Sequence, residues 1–174
     1  VTRKGDLSHA KLLVLVRHAK SSWKEAGLAD RERPLSGRGK RDAPRMGKLL
    51  AERAVRPELL VTSPALRARQ TAEALAAALG RKRAEFRVVE RIYLAEMDEL
   101  LGMIQDFDDR ARSALLVGHN PGLTDLVNRL AGCEIENVPT CGIAILDLAS
   151  ESWVEAGDRP ARLLEFFFPK QSEV

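Results

Sequence analysis

The chain has 174 residues, enough for one domain with a proper buried core. Its 28 basic and 25 acidic residues leave a formal net charge of +3, with 45% hydrophobic and 30% charged side chains. That composition is ordinary for a globular protein, suits anionic ligands, and does not by itself imply nucleic acid.

Residues 1–10, beginning Val1-Thr2-Arg3-Lys4, are polar and read as a loose tail that includes His9; residues 11–174 read as a single domain. Leu12–Arg17 is a uniformly apolar run, expected as a buried strand, and far too short to cross a bilayer. A charged loop follows over 19–35 and contains Trp23. A helix is expected from about Ser36 towards Ala54 on an apolar stripe of Ala43, Met46, Leu49 and Leu50. Pro44 leaves two versions open: a bent helix, or a helix capped by Asp42 with Pro44 in its first turn. Leu59–Thr62 is the second strand, with Ser63 expected to cap a helix that has Pro64 first and runs to Leu79 before Gly80. Phe86–Val89 is the third strand, followed by a helix near Met97–Phe107. Ala114–Val117 is the fourth, followed by Asn120 as cap, Pro121 first, and an inner face of Leu123, Leu126, Val127 and Leu130. Ile143–Leu148 and Leu163–Phe168 complete the set. Alternating strands and helices predict an α/β domain with a mostly parallel sheet covered on both faces, and one antiparallel element at the end.

The chain has three histidines, and two of them, His18 and His119, directly follow apolar strands. The carboxyl ends of strands in open α/β sheets form the ligand crevice. Arg17 adjoins His18, and Arg67 lies in the first turn expected after the second strand. A phosphoryl group needs its charge neutralised, its geometry fixed and a nucleophile in line. Guanidinium forks serve the first two needs, and a neutral imidazole serves the third.

Four ordered blocks carry a resemblance to the histidine phosphatase superfamily, in its short SixA-type branch. They are Leu15-Val16-Arg17-His18-Ala19-Lys20-Ser21-Ser22-Trp23, Pro34-Leu35-Ser36-x-x-Gly39, Ser63-Pro64-Ala65-Leu66-Arg67-Ala68-Arg69-Gln70-Thr71-Ala72 and Val117-Gly118-His119-Asn120-Pro121-Gly122-Leu123. The resemblance implies a phosphoglycerate mutase-like three-layer sandwich and a metal-independent phosphatase with His18 as nucleophile. It also implies phosphate contacts from Arg17, Ser21, Arg67, His119 and Asn120, and a general acid after the third strand. Glu90 falls at that place, with Glu96 and Asp98 as competitors. The lack of any stretch long enough for a cap domain favours a phosphorylated side chain on another protein, so phosphohistidine phosphatase is the expected activity. A small-molecule phosphomonoesterase on the same site is the alternative.

A zinc site on His18 and His119 would need a further ligand, and Arg17 and Arg67 would repel the cation, so no metal and no cofactor are expected. The basic run Arg31, Arg33, Arg38, Lys40, Arg41 and Arg45 reads as a solvated helix face, and with only Trp23 nearby an RNA-binding role is not expected. A phosphate-dependent module without catalysis is the remaining alternative. Trp23 is either a substrate wall or a lid packed on the core. Cys133 and Cys141 form no Cys-x-x-Cys pair and read as small hydrophobes in a reducing cytoplasm. Oligomeric state is not legible.

Overall fold

A computed structural model describes residues 10–170; nearly all of the expected tail, with His9, lies outside them. Six strands form one sheet: β1 (Leu12–Arg17), β2 (Leu59–Thr62), β3 (Phe86–Val88), β4 (Ser113–Gly118), β5 (Ile143–Asp147) and β6 (Arg162–Phe167). Their order is β3-β2-β4-β1-β5-β6. The β2–β3, β2–β4 and β1–β4 pairs are parallel, whereas β5 runs antiparallel to both β1 and β6. The chain between β5 and β6 holds only the 3-10 turn Trp153–Glu155 and no crossover helix, and the two strands pair antiparallel.

Alternation along β1 assigns its two faces. Leu13 and Leu15 pack with residues of α3 (Met97–Gln105), α4 (Gly122–Ala131) and the buried Trp153. Val14 and Val16 pack with residues of α1 (Gly37–Glu52) and α2 (Leu66–Ala78). Helices therefore cover both faces, giving the three-layer sandwich. All four inner positions expected on α4 are buried.

Register brings the strand ends level. Arg17 pairs with Gly118 across β1–β4, and the His18 amide donates to the Gly118 carbonyl at 3.1 Å. Thr62 pairs with Val117 across β2–β4, and the Ser63 amide donates to the Val117 carbonyl at 3.0 Å. His18, His119 and Ser63 thus leave the sheet side by side.

Three helix starts differ from expectation by one or two residues. α1 begins at Gly37, and the Ser36 hydroxyl accepts from the Gly39 amide at 3.2 Å. The helix continues through the exposed Pro44, so the version with a cap at Asp42 does not occur. α2 is preceded by Ala65, not Ser63, and α4 by Pro121, not Asn120. Ser63 and Asn120 are drawn into the site instead, as described below. Gly80, at φ +67°, closes α2 as expected.

Two glycines of the motif blocks are required by close approach. A Cβ on Gly39 would stand 2.2 Å from the Lys20 carbonyl oxygen, and one on Gly122 would stand 2.1 Å from that of Ala95. Gly39 lets the loop over 19–35 lie against α1, and Gly122 lets α4 start against the segment after β3.

Candidate active site

His18 lies at the end of the central strand with only 8% of its surface exposed. Its Nδ1 is 2.8 Å from the Ala19 carbonyl oxygen. A carbonyl can only accept, so Nδ1 carries the proton and Nε2 presents a lone pair. Arg67 Nε donates to that Nε2 at 3.4 Å, and the His119 ring stands with its centroid 5.1 Å away.

His119 is buried, with Nε2 2.7 Å from Ser63 Oγ. The Ser63 oxygen also accepts from the Ala65 amide and keeps a second lone pair, so its contact with His119 Nε2 fits either tautomer of that ring. That Nδ1 has no partner within the protein. Tyr93 meets the His119 ring edge-on at 5.6 Å.

Arg67, 3% exposed, donates through Nη1 to the Asp30 carbonyl at 2.7 Å and through Nη2 to Asp30 Oδ2 at 2.9 Å. Asp30 Oδ2 also accepts from the Tyr93 hydroxyl at 2.6 Å. Arg17 donates through Nη1 to the Val138 carbonyl at 2.8 Å, and its buried Nε has no partner. Asn120 Nδ2 donates to that same carbonyl at 3.0 Å and to Asn137 Oδ1 at 2.9 Å, while Asn120 Oδ1 accepts from Thr124. Asn120 therefore ties the 137–138 turn to α4 and steadies the anchor of Arg17. Ser21 Oγ accepts from Arg33 Nη2.

The three acids expected to compete for the proton-donor role are not gathered here. Glu90 opens a 3-10 turn (Glu90–Ile92), its side chain is 70% exposed, and it pairs with Arg31 at 3.0 Å. Glu96 and Asp98 are exposed beside a separate hollow that Leu94, Pro121 and Asp125 also line. The carboxylate that does reach the site is Asp30, which the sequence reading missed, together with Arg33 and Tyr93. Arg33 corrects the solvated-face expectation, since it precedes α1 and is 8% exposed. Trp23 is 75% exposed, so it is not a lid packed on the core. Cys133 and Cys141 are free thiols, and burial pushes that of Cys141 up to about 12. Among the described residues no three His, Cys, Asp or Glu side chains are grouped to hold a metal, and no helix is long and apolar enough to cross a membrane.

Burial pushes the His18 pKa down to about 4; the bond to Ala19 opposes this, while the charges of Arg67, Arg17 and Arg33 add to it. Burial, then His18 and Arg67, push His119 down to about 3. Partial burial of Asp30 works to raise its pKa, but the Tyr93 bond and the Arg67 pair hold it below the usual carboxylate range. At neutral pH the two imidazoles are neutral and Asp30 is ionised. In the unfolded chain the histidines titrate near 6.5, so below that pH the unfolded state binds protons that the folded state refuses. Their contribution is complete above about pH 6.5 and is lost as pH falls towards 4, at about 1.4 kcal/mol per pH unit for each ring. Asp30 acts in the same sense at lower pH. Urea midpoints measured from pH 7 to 4.5 should fall steeply, and a flat profile would mean that the native imidazoles are already charged.

The fold and this cluster of imidazoles and guanidinium groups at the strand ends define a phosphoryl-transfer enzyme. The model of the histidine phosphatase superfamily (branch 1) matches residues 13–103, and the chain belongs to that family. An uncharacterised protein of Mycobacterium tuberculosis is 33% identical over 165 residues, covering 89% of this chain and all of the relative. A crystal structure assigned as the phosphohistidine phosphatase SixA from Agrobacterium tumefaciens superposes with a TM-score of 0.79 at 29% identity, covering 93% of this chain and 100% of that one. The protein histidine phosphatase SixA complexed with tungstate shares the fold at a TM-score of 0.75 and 22% identity, covering 90% and 96%. The protein is a phosphatase of this superfamily.

Proposed function

We propose that the protein removes the phosphoryl group from phosphohistidine on another protein, through a covalent intermediate on His18 and without a metal ion. The observation that carries this is the Ala19 carbonyl at Nδ1 of His18, which leaves Nε2 unprotonated inside a ring of cations. In the first step the His18 Nε2 lone pair forms a bond to phosphorus as the bond to the substrate nitrogen breaks. Arg17 and Arg67 neutralise the non-bridging oxygens, and His119 Nδ1–H donates to one of them. Water then attacks the phosphohistidine, releasing inorganic phosphate and restoring His18.

The leaving group decides the substrate class. An alcohol must be protonated as it departs, whereas a protonated imidazole leaves unaided. Asp30 is ionised, both site histidines are neutral, and Glu90 faces solvent in a pair with Arg31. This set of groups suits a phosphoramidate better than an alkyl phosphate. The likeness to SixA supports the same choice.

Hydrolysis of phosphohistidine, phosphoserine, phosphotyrosine and sugar phosphates by the purified protein tests the proposal. Phosphohistidine should be cleaved fastest; preference for a sugar phosphate would move the assignment to a small-molecule phosphomonoesterase. Glu90→Gln should slow alcohol phosphates more than phosphohistidine if Glu90 swings in as the acid, and equal rates on both classes would remove it from the mechanism. Activity should survive a chelator and be blocked by vanadate, because guanidinium groups supply the charge that a metal supplies elsewhere. Loss in chelator with recovery on adding a divalent ion would overturn the metal-free mechanism.

A further inference from the structure

Among the described residues, three buried side-chain nitrogens lack any partner: Arg17 Nε, His119 Nδ1 and Arg33 Nε. Buried polar groups without partners are rare, and each calls for an explanation. The first two belong to groups already placed around His18. The third belongs to a residue outside the superfamily resemblance drawn above.

Arg33 is held from every side. Its Nη2 donates to Ser21 Oγ, and its Nη1 lies 3.3 Å from Asp30 Oδ1. The other carboxylate oxygen of Asp30 accepts from Arg67 Nη2 at 2.9 Å, so one carboxylate bridges the two guanidinium groups. The indole of Trp23 covers the plane of Arg33, with its centroid 3.4 Å from Cζ. The charge of Arg33 acts on both Arg67 and His18. A guanidinium stays protonated at neutral pH, so this group is a fixed cation with an unused donor, joined through Asp30 to the arginine that touches His18. Two guanidinium groups thus share one carboxylate, and Arg17 donates only to the uncharged 137–138 turn, an excess of positive charge that suits a phosphoryl dianion.

Resting on the phosphatase assignment of this site, we propose that Arg33 is a third phosphoryl-binding residue. Its Nε–H donates to a non-bridging oxygen that Arg17 and Arg67 leave open. Ser21, placed by the sequence among the phosphate contacts, acts through Arg33 as a positioning residue, and Trp23 keeps the fork from rotating away.

Calorimetric titration with orthovanadate and with inorganic phosphate tests this on the folded protein, with a thermal melt of each variant as the control for folding. Arg33→Gln keeps a donor for Ser21 but loses the charge, and should weaken vanadate by about 10- to 100-fold, the range for a charge-assisted hydrogen bond. Arg33→Lys should recover part of that loss. Arg45→Ala, in the exposed part of the same basic run, should bind as the wild type does. The distinguishing readout is pH. Wild-type affinity for phosphate should rise through its second ionisation, and that rise should shrink in Arg33→Gln and return in Arg33→Lys. A residue that only pinned the loop would weaken both ionic forms alike, and that result overturns the proposal. So does unchanged vanadate binding in Arg33→Gln, while turnover by the wild type leaves the phosphatase assignment standing. A wild-type protein that binds neither oxyanion ends both.

Discussion

His18→Ala should abolish turnover on every substrate, and raising substrate concentration should not restore it. His18 Nε2 is the ring nitrogen that Arg67 meets, whereas His119 Nε2 is taken up by the Ser63 hydroxyl. Covalent catalysis divides one difficult transfer into two easier ones, so removing the nucleophile removes the route and not merely a stabilising contact. A direct test is to quench a reaction with labelled substrate in the wild type and map the label. It should sit on His18 and be labile to acid but stable to base. Retention of label and turnover in His18→Ala would make the proposed chemistry untenable. The acid limb of kcat/KM gives a second check. With His18 held near pKa 4, activity should persist down to about pH 5 and fall only as pH approaches 4.

Arg67→Ala should lower kcat by about 10²–10³-fold, the cost of removing one preorganised transition-state donor. Arg17→Ala and His119→Ala should fall in the same range. Arg67 carries an additional duty, because its three nitrogens reach His18, the Asp30 carbonyl and the Asp30 carboxylate. An ammonium group cannot span that geometry, so Arg67→Lys should recover little of the lost rate. Steady-state kinetics on phosphohistidine, with melting temperatures to confirm folding, decides the matter. Near-normal kcat in Arg67→Ala with only KM raised would reduce Arg67 to uniform substrate binding.

Helix starts show how local signals yield to tertiary demands. Ser63-Pro64 and Asn120-Pro121 have the composition of helix caps, yet the helices begin at Leu66 and Gly122. At the first site the serine hydroxyl accepts from a local amide while meeting His119. At the second, the asparagine amide reaches the 137–138 turn that anchors Arg17. In both, a polar side chain next to a strand end has a partner across the sheet, and the cap passes to the next residue or two.

The amino-acid sequence by itself determined the strands and the residues that leave their carboxyl ends. Short apolar runs ending in Arg17-His18, Thr62-Ser63 and Gly118-His119 have the length and composition of buried strands, and their parallel pairing sets the ends level. Only the tertiary structure decided what the 19–35 loop contributes. That loop has no periodicity, and a run of Asp, Arg and Glu looks the same whether water or a guanidinium is its partner. Folding across α2 places Asp30 between Arg67 and Arg33, and buries Arg33 while leaving Arg31 outside, paired with Glu90. The sorting of those charges depends on distances between segments remote in sequence, set by packing of α1 and α2 on β1, and no local pattern encodes them.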